Sequence, residues 1–269
     1  MKPSGIITLT TDFGLRDPYV GIMKGVILSI NPAARPVDIT HHIRAGSIFQ
    51  ASNIIQDAYS FFPEGTIHVA VVDPGVGSLR RLLLVETDAY LFVGPDNGIF
   101  WPVITSPGSR KTIEITRKEY FLPHITHTFH GRDIFAPVAA HLSLGVPPAE
   151  MGRPLNDPVP LPVPKPRQSR ESLSGQVIRV DHFGNLITNI RRQDLDRFAG
   201  QYPFVIHVGD LRVTGIRKTY ADVRAGEPLA MIGSSGLMEI AVNLGRACDR
   251  LDLNFEDIPG TRVEVKKTL

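Results

Sequence analysis

The sequence predicts an α/β domain followed by a smaller all-β, barrel-like domain, and three observations predict it. In the first half of the chain, short apolar runs alternate with stretches of helical periodicity, the pattern of a mostly parallel sheet covered on both faces. A proline-dense segment then intervenes, with Pro147, Pro148, Pro154, Pro158, Pro160, Pro162, Pro164 and Pro166. Such a segment favours extended polyproline geometry and forms a semi-rigid linker. Beyond it, short strand-like runs are separated by glycine-containing turns, as in a small barrel. The boundaries drawn on this basis are residues 1–150, a linker over 151–172, and residues 173–269.

The elements follow in order. Ile6 to Thr10 reads as a first strand. Asp17 and Pro18 form an N-cap and N1 pair for a helix carrying Ile22, Met23, Val26, Ile27 and Ile30, which stops before Pro32. A second helix starts near Ser47 and ends at Pro63. Ile67 to Val72, Leu82 to Glu86 and Tyr90 to Val93 read as strands, and Pro95-Asp96-Asn97-Gly98 as a turn. Asp133 is placed to cap a helix from Ile134 to Leu144, ended by Gly145. In the second half, strands are expected at 176–180, 186–190, 204–207, 211–213, 229–232, 237–242 and 262–265, with Gly209-Asp210 a hairpin tip.

Composition narrows the class. Hydrophobic residues make up 42% and charged residues 21%, ordinary for a globular protein with a substantial core. The net charge of +2 comes from interspersed signs and gives no case for a nucleic-acid partner. The single cysteine, Cys248, excludes an internal disulfide framework and suits a reducing compartment. The apolar stretch after Met1 breaks at Asp12, too soon for a signal peptide, and no run approaches the roughly 18 apolar residues of a membrane span. A cytoplasmic protein with no membrane partner is expected.

Three polar clusters sit where an α/β sheet presents ligands, beyond the carboxyl ends of strands or at helix starts. They are Thr10-Thr11-Asp12-Phe13-Gly14, the loop from Asp73 through Gly75, Gly77, Ser78 and Arg80, and His130-Gly131-Arg132-Asp133. Asp12 reads either as a turn residue bonding its own backbone or as a carboxylate accepting ribose hydroxyls. The Asp73 loop lacks the third glycine of a dinucleotide fingerprint and the Gly-Lys-Ser/Thr of a phosphate loop, and Asp73 with Arg80 also fits a structural ion pair. His124, His127 and His130 fall three apart, yet Pro123 and the β-branched Thr126 and Thr128 oppose a shared helical face for a metal. Most histidines, the adjacent His41 and His42 included, read as surface or hydrogen-bonded residues. No Gly-x-Ser-x-Gly elbow is present. Gly233-Ser234-Ser235-Gly236 and Phe183-Gly184-Asn185 read as turns, the latter followed by Thr188-Asn189.

In this order, and together with Gly94 to Gly98, Asp181 to Asn189 and Ser234 to Asn243, these clusters resemble the S-adenosylmethionine hydroxide adenosyltransferases, relatives of the fluorinase and chlorinase. The resemblance spans nearly the whole chain. It implies an α/β domain, a β-barrel, and a homotrimer with active sites between neighbouring subunits. It implies hydrolysis of S-adenosyl-L-methionine (SAM) to adenosine and L-methionine, with SAM as substrate, no cofactor and no metal. The catalytic set it implies is Asp73, Arg80 and His130. For substrate binding it implies Asp12 on the ribose diol, then Asp181, Phe183, Asn185, Tyr220, Ser234 and Glu239. The resemblance departs at one place: the halogenases carry Ser-Arg where this chain has Ser234-Ser235, which leaves the methionine carboxylate contact open.

The chemistry this implies is in-line displacement at the ribose C5′ by water or hydroxide, the thioether leaving neutral. Arg80 would favour an anionic oxygen, His130 would accept or relay a proton, and Asp73 would orient one of them. The alternatives are a halogenase using the same site with chloride or fluoride, a nucleoside-binding module without turnover, and a metal-dependent hydrolase.

Overall fold

The computed structural model describes residues 1–254 and 257–268. The chain divides into two compact units, Met1–Pro162 and Val163–Leu269.

The first unit contains β1 (Ile6–Thr11), α1 (Tyr19–Ile30), β2 (Arg35–Thr40), α2 (Ile48–Ala58), β3 (Ile67–Val71), β4 (Leu82–Thr87), β5 (Leu91–Pro95), α3 (Trp101–Ile104), β6 (Ser109–Ile115), α4 (Ala136–Ser143) and β7 (Gly152–Pro154). Its strands form one sheet in the order β2-β1-β3-β5-β4-β6-β7. Two cores follow from the period-2 alternation of side chains along the strands. Ile7, Leu9, Val69, Val71, Leu84, Leu91 and Val93 face α1 and α4, where they meet Met23, Ile27, Phe135 and Val138. Ala70, Val72, Leu83, Val85 and Phe92 face the other way, against Ala51 and Ile55 of α2 and Phe100 and Val103 near α3.

The expected α/β organisation is present, with a mixed sheet. β2, β1, β3 and β5 are parallel, whereas β4, β6 and β7 continue antiparallel. The reason is the short link between β4 and β5. Parallel neighbours need a crossover of roughly a dozen residues or more, and only Asp88-Ala89-Tyr90 separates these two. Two helix starts also differ from the sequence reading. The α1 helix begins at Tyr19 with Pro18 in the cap position and no side-chain cap, so Asp17 does not serve as N-cap. Asp133 caps nothing. It lies inside a wide π-helical turn, Gly131–Phe135, that leads into α4, and its buried carboxylate accepts from Thr126 N at 2.8 Å and Thr126 Oγ1 at 2.7 Å. Strands β2, β6 and β7 went unread in the sequence. Because β7 lies within the expected linker, the extended run between the units is shorter at that end.

The second unit holds β8 (Arg167–Gln168), β9 (Ser172–Val180), β10 (Leu186–Arg191), α5 (Arg192–Ala199), β11 (Phe204–Val208), β12 (Leu211–Thr214), β13 (Pro228–Ile232), β14 (Leu237–Val242) and β15 (Arg262–Lys267). Its sheet is wholly antiparallel, in the order β12-β11-β15-β9-β10-β14-β13 with β8 on β9. The end strands approach each other, and Arg217 N donates to Ala230 O at 2.7 Å, so the sheet curls into a nearly closed barrel. Val177, Leu186, Ile206, Ile240 and Val265 fill it. Gly209, with φ of 52°, makes the expected β11–β12 turn. No helix among the described residues is long and apolar enough to cross a membrane.

His68 of β3 is buried among Tyr59, Phe62, Tyr90 and Phe92, stacked on the last with centroids 5.0 Å apart. Among the described residues its one polar partner is Thr8, with Oγ1 at 2.8 Å from Nδ1. Burial pulls its pKa down to about 3. The folded value lies below the unfolded one, near 6.5, so the unfolded chain takes up this proton first. The stability it contributes is whole above pH 6.5 and is lost as pH falls towards 3. The paired change Thr8→Val with His68→Phe removes both polar partners together. It should therefore leave stability near neutral pH close to that of the parent and flatten the acid limb by up to about 1.4 kcal/mol per pH unit. Urea unfolding at pH 7 and pH 4.5 measures this; equal acid losses in both proteins would overturn it.

Candidate active site

Strand β1 lies between β2 and β3, and the chain reaches one neighbour through α1 and the other through α2, on opposite faces of the sheet. This is a topological switch point, where helices diverge and leave a crevice beyond the strand ends. Thr11 stands opposite Val71 in the register. The next residues out are Asp12 on one strand and Val72-Asp73 on the other, and a cavity of about 340 Å³ opens there. Asp12, Phe13, Gly46, Asp73, Phe129 and His130 are among its lining residues.

The loop after β3 folds back in two successive turns, Val76 N to Asp73 O at 3.1 Å and Ser78 N to Gly75 O at 3.1 Å. Gly77 has φ of 78°, and a Cβ there would stand 2.5 Å from the carbonyl oxygen of His127. Only glycine tolerates both the left-handed backbone and that approach. The docking brings Arg80 onto Asp73 and His130. Arg80 Nε lies 2.7 Å from each Asp73 oxygen, Nη2 also donates to Asp73, and Nη2 lies 2.8 Å from His130 Nδ1. The guanidinium packs over the ring of the fully buried Phe135, 5.7 Å from its centroid. Arg80 is not itself a lining residue of the cavity, and its Nη1 is buried with no hydrogen-bond partner among the described residues.

Because a guanidinium only donates, His130 Nδ1 must accept, which leaves the proton of a neutral imidazole on Nε2. Burial, and next the charge of Arg80, lower the His130 pKa, against the opposing pull of Asp73 and Asp133. The imidazole is thus neutral at neutral pH.

Asp12 Oδ2 accepts Gly46 N at 2.8 Å. The Pro95–Gly98 turn serves β3: Asn97 Nδ2 donates to Val72 O at 2.9 Å. Arg81, next to Arg80, bonds the buried Asp96 at 2.8 Å and Asp157 at 2.7 Å. Phe135 is legible in the sequence as part of a buried helix face and Arg81 as a cation of the loop, but their partners Arg80, Asp96 and Asp157, like the Asp133–Thr126 contact, carry no local signal, since each depends on a partner distant in the chain or a turn of unusual pitch. No group of three or more His, Cys, Asp or Glu residues suited to a metal ion occurs among the described residues.

The second unit gathers four more of the expected residues. Asn185 N donates to Asp181 Oδ1 at 2.8 Å and its Nδ2 to Oδ2 at 2.9 Å. Asn185 Nδ2 also approaches Tyr220 Oη at 3.3 Å, and Tyr220 donates to Glu239 Oε1 at 2.8 Å. Burial, then Glu239, push the Tyr220 phenol up to about 12, and burial raises Glu239 as well. The phenol therefore stays a donor. Phe183 and Ser234 stand apart on exposed turns, Phe183 being 70% exposed. The Ser234 turn nonetheless borders the cluster, since a Cβ on Gly233 would lie 2.8 Å from Glu239 Oε2.

The sequence matches the SAM hydroxide adenosyltransferase N-terminal domain over residues 7–152 and the corresponding C-terminal domain over 175–258. It is 37% identical over 270 residues to the (R)-S-adenosyl-L-methionine hydrolase of Salinispora tropica, covering 98% of this chain and 99% of that protein. The enzyme of the same name from Thermus thermophilus is 38% identical over 94% of this chain and 96% of its own length. A fluorinase from an Actinoplanes species is 29% identical, over 88% and 91%. Among solved structures, a conserved protein from Thermotoga maritima superposes with a TM-score of 0.89 at 37% identity, over 97% of this chain and all of the other.

The contact of Gly77 with His127 generates a prediction that needs no substrate. Gly77→Ala should cost about 1–3 kcal/mol, because the loop must leave either its left-handed backbone or its seat on the 127 carbonyl. Chemical denaturation reads this, and a change within 0.5 kcal/mol would show that the loop is not clamped there.

Proposed function

The chain belongs to the SAM hydroxide adenosyltransferase family, and on that premise we propose that it hydrolyses S-adenosyl-L-methionine to adenosine and L-methionine. The observation that carries this reading is the closed contact of Arg80 with both Asp73 and His130 beside the switch-point cavity. Near-complete coverage by relatives named as SAM hydrolases supports it.

The reaction is a displacement at the ribose C5′, with an oxygen entering opposite the sulfur. The sulfonium leaves as a neutral thioether, so nothing need protonate it, and no Lewis acid is required. What must be supplied is a competent oxygen nucleophile. The cluster offers it hydrogen-bond donors: the Nε2–H of His130 at the cavity wall and, behind it, the buried Arg80 Nη1, whose N–H groups have no partner among the described residues. His130 has no lone pair left to act as a base, because its one acceptor nitrogen, Nδ1, already takes the Arg80 N–H, and the Asp73 carboxylate is committed to the same guanidinium through both oxygens. The arrangement therefore favours the anionic form of a bound water over its removal of a proton by His130, a change from the relay role inferred for that residue above. Holding the oxygen in line with the scissile bond contributes the entropic part. Asp12 is suited to the ribose diol, and the Asp181, Asn185, Tyr220 and Glu239 cluster, with Phe183 and Ser234 at its margins, to the adenosyl and methionine groups. The same reading includes a homotrimer with active sites between neighbouring subunits, and a cytoplasmic location.

Product analysis in oxygen-18 water tests the reaction: label is expected in the adenosine 5′-hydroxyl, and label-free adenosine or a 5′-halo product would reject hydrolysis at C5′. Arg80→Ala should lower kcat by about 100-fold or more while changing KM little, and Asp12→Ala should chiefly raise KM; the reverse pattern would exchange the roles. The pH dependence separates holder from base. If His130 were the base, kcat would level off above its lowered pKa, below pH 6.5. A site that stabilises hydroxide should instead keep rising from pH 6.5 to 9, and a plateau across that range would restore His130 as the base.

A further inference from the structure

Beside the switch-point crevice lies a second chain of polar contacts that the chemistry above does not use. Thr11 Oγ1 is 2.8 Å from His41 Nδ1, His41 Nε2 is 3.0 Å from Asp38 Oδ1, and Lys24 Nζ donates to Asp38 Oδ2 at 2.6 Å. His41 is only 2% exposed and Thr11 is fully buried. The Nε2–H is not well aligned on the Asp38 oxygen, so that contact is electrostatic more than a directed hydrogen bond. Burial raises the Asp38 carboxyl, but Lys24 and His41 outweigh it and hold the group below its usual range, so Asp38 is an anion. A carboxylate facing Nε2 keeps the imidazole proton there. His41 Nδ1 then accepts the Thr11 hydroxyl, and Thr11 Oγ1 accepts the Phe13 N–H at 3.2 Å. The Lys24 ammonium, the Thr11 hydroxyl and the Phe13 amide thus each donate in one direction along the line, with the His41–Asp38 contact electrostatic between them.

The strand pairing explains how His41 arrives. The β1–β2 register runs Leu9 with Asp38, then Thr10 with Thr40. One extra residue in β2 inverts which face its later side chains occupy, a device that bulges supply next to functional sites. Without the bulge the His41 side chain would be directed to the opposite face of the sheet. Its backbone takes part as well, since Gly14 N donates to His41 O at 2.8 Å. Five residues on, Gly46 N holds Asp12 Oδ2. The segment from His41 to Gly46 thus grips the 11–14 turn at three points, two of them through His41.

We propose that His41 is a positioning residue for the substrate site: through Thr11 and Gly14 it sets the turn that aims Asp12 and Phe13 into the cavity. It touches no reacting atom. The inference rests on the proposed function only for the identity of the ligand, so adenosine binding and SAM turnover are measured separately. The variants are Thr11→Val, which deletes the hydroxyl at nearly constant shape, His41→Ala, and His41→Asn, whose amide oxygen can occupy the place of Nδ1. Adenosine affinity by calorimetry should fall about tenfold in Thr11→Val and His41→Ala and recover at least half of that, on a logarithmic scale, in His41→Asn. The loss should appear in KM, with kcat within about twofold. In the Asp12→Ala background, His41→Ala should cost clearly less affinity than it does in the parent, because one of the two groups it aims is gone and only Phe13 remains.

Additive losses in that cycle, or no rescue by His41→Asn, would reduce His41 to a structural role. Should His41→Ala fail to fold, Thr11→Val in the same cycle decides the matter alone, unaltered affinity refuting the proposal. A parent protein that binds no adenosine and releases no methionine would refute the functional reading instead. In that case the unfolding free energies of the single and double variants decide the clamp: independent contributions of Thr11 and His41 to stability would refute it too.

Discussion

The functional half of the first unit depends on one pairing, the parallel ladder between β1 and β3 that sets Thr11 opposite Val71. Because the chain winds away from β1 on both sides, the crevice beyond these strand ends is left uncovered by helices. The same register delivers Asp12 and Asp73 to adjacent strand ends, where two carboxylates would repel each other if left alone. Each instead has its own donors. Asp12 takes the Gly46 amide, whereas Asp73 takes the Arg80 guanidinium along one whole edge. That division leaves Asp12 with a neutral backbone amide, which suits the diol of the proposed function, and commits Asp73 to a charged partner.

The commitment of Asp73 has a packing side as well. Both members of the Asp73–Arg80 pair are almost fully removed from solvent, at 5% and 9% side-chain exposure. A buried ion pair seldom stabilises a fold beyond what apolar residues of the same size would, so its presence is better explained by geometry. Arg80 is fixed by a carboxylate, an imidazole and an aromatic face at once. A lysine could not meet these three with a planar fork. The cost of holding it there is spread over Gly77, whose left-handed backbone lets the loop close, and over the π turn that begins just after His130.

How much of this was legible in the sequence varied with range. Strand ends bearing Asp12 and Asp73 could be read because an apolar run stopping on a carboxylate is a local signal. Most barrel strands could be read as short apolar runs set off by glycine-containing turns, whereas β8, Arg-Gln, lies inside the expected linker and carries no apolar residue. By contrast, β2 is Arg-Pro-Val-Asp-Ile-Thr, half exposed at the sheet edge, with no alternation to betray it. The early residues of β6 are polar for a similar reason. The mixed sheet was implicit in the three residues between β4 and β5, too few for a crossover. His41 was illegible in principle, since its side chain reaches Thr11 only through a bulge, and one residue of register decides the face. Asp133 mimics a helix cap in sequence because a π turn and a cap both place a carboxylate near a helix start. In the second unit, Asp181 and Asn185 share one turn, whereas Tyr220 and Glu239 reach them from 35 and 54 positions beyond Asn185, so only the resemblance joined the four.

The charge balance of the cluster bears on which nucleophile it serves. Arg80 is compensated by Asp73, and His130 is neutral, so the three groups together carry no net charge. In the proposed reaction a halide would have to give up its hydration before it reached the sulfonium, with no net charge on the three groups to draw it in, and desolvating an anion is costly. Water enters uncharged and meets donors already oriented. In the proposed reaction it would develop negative charge only as its proton passes to bulk solvent, and the positive sulfonium of a bound substrate would then compensate that charge. Substrate and nucleophile therefore complete each other's electrostatics inside a neutral frame. In the proposed reaction, the same guanidinium that would attract any anion when bare would favour an oxygen that arrives as water, because Asp73 is fixed against it.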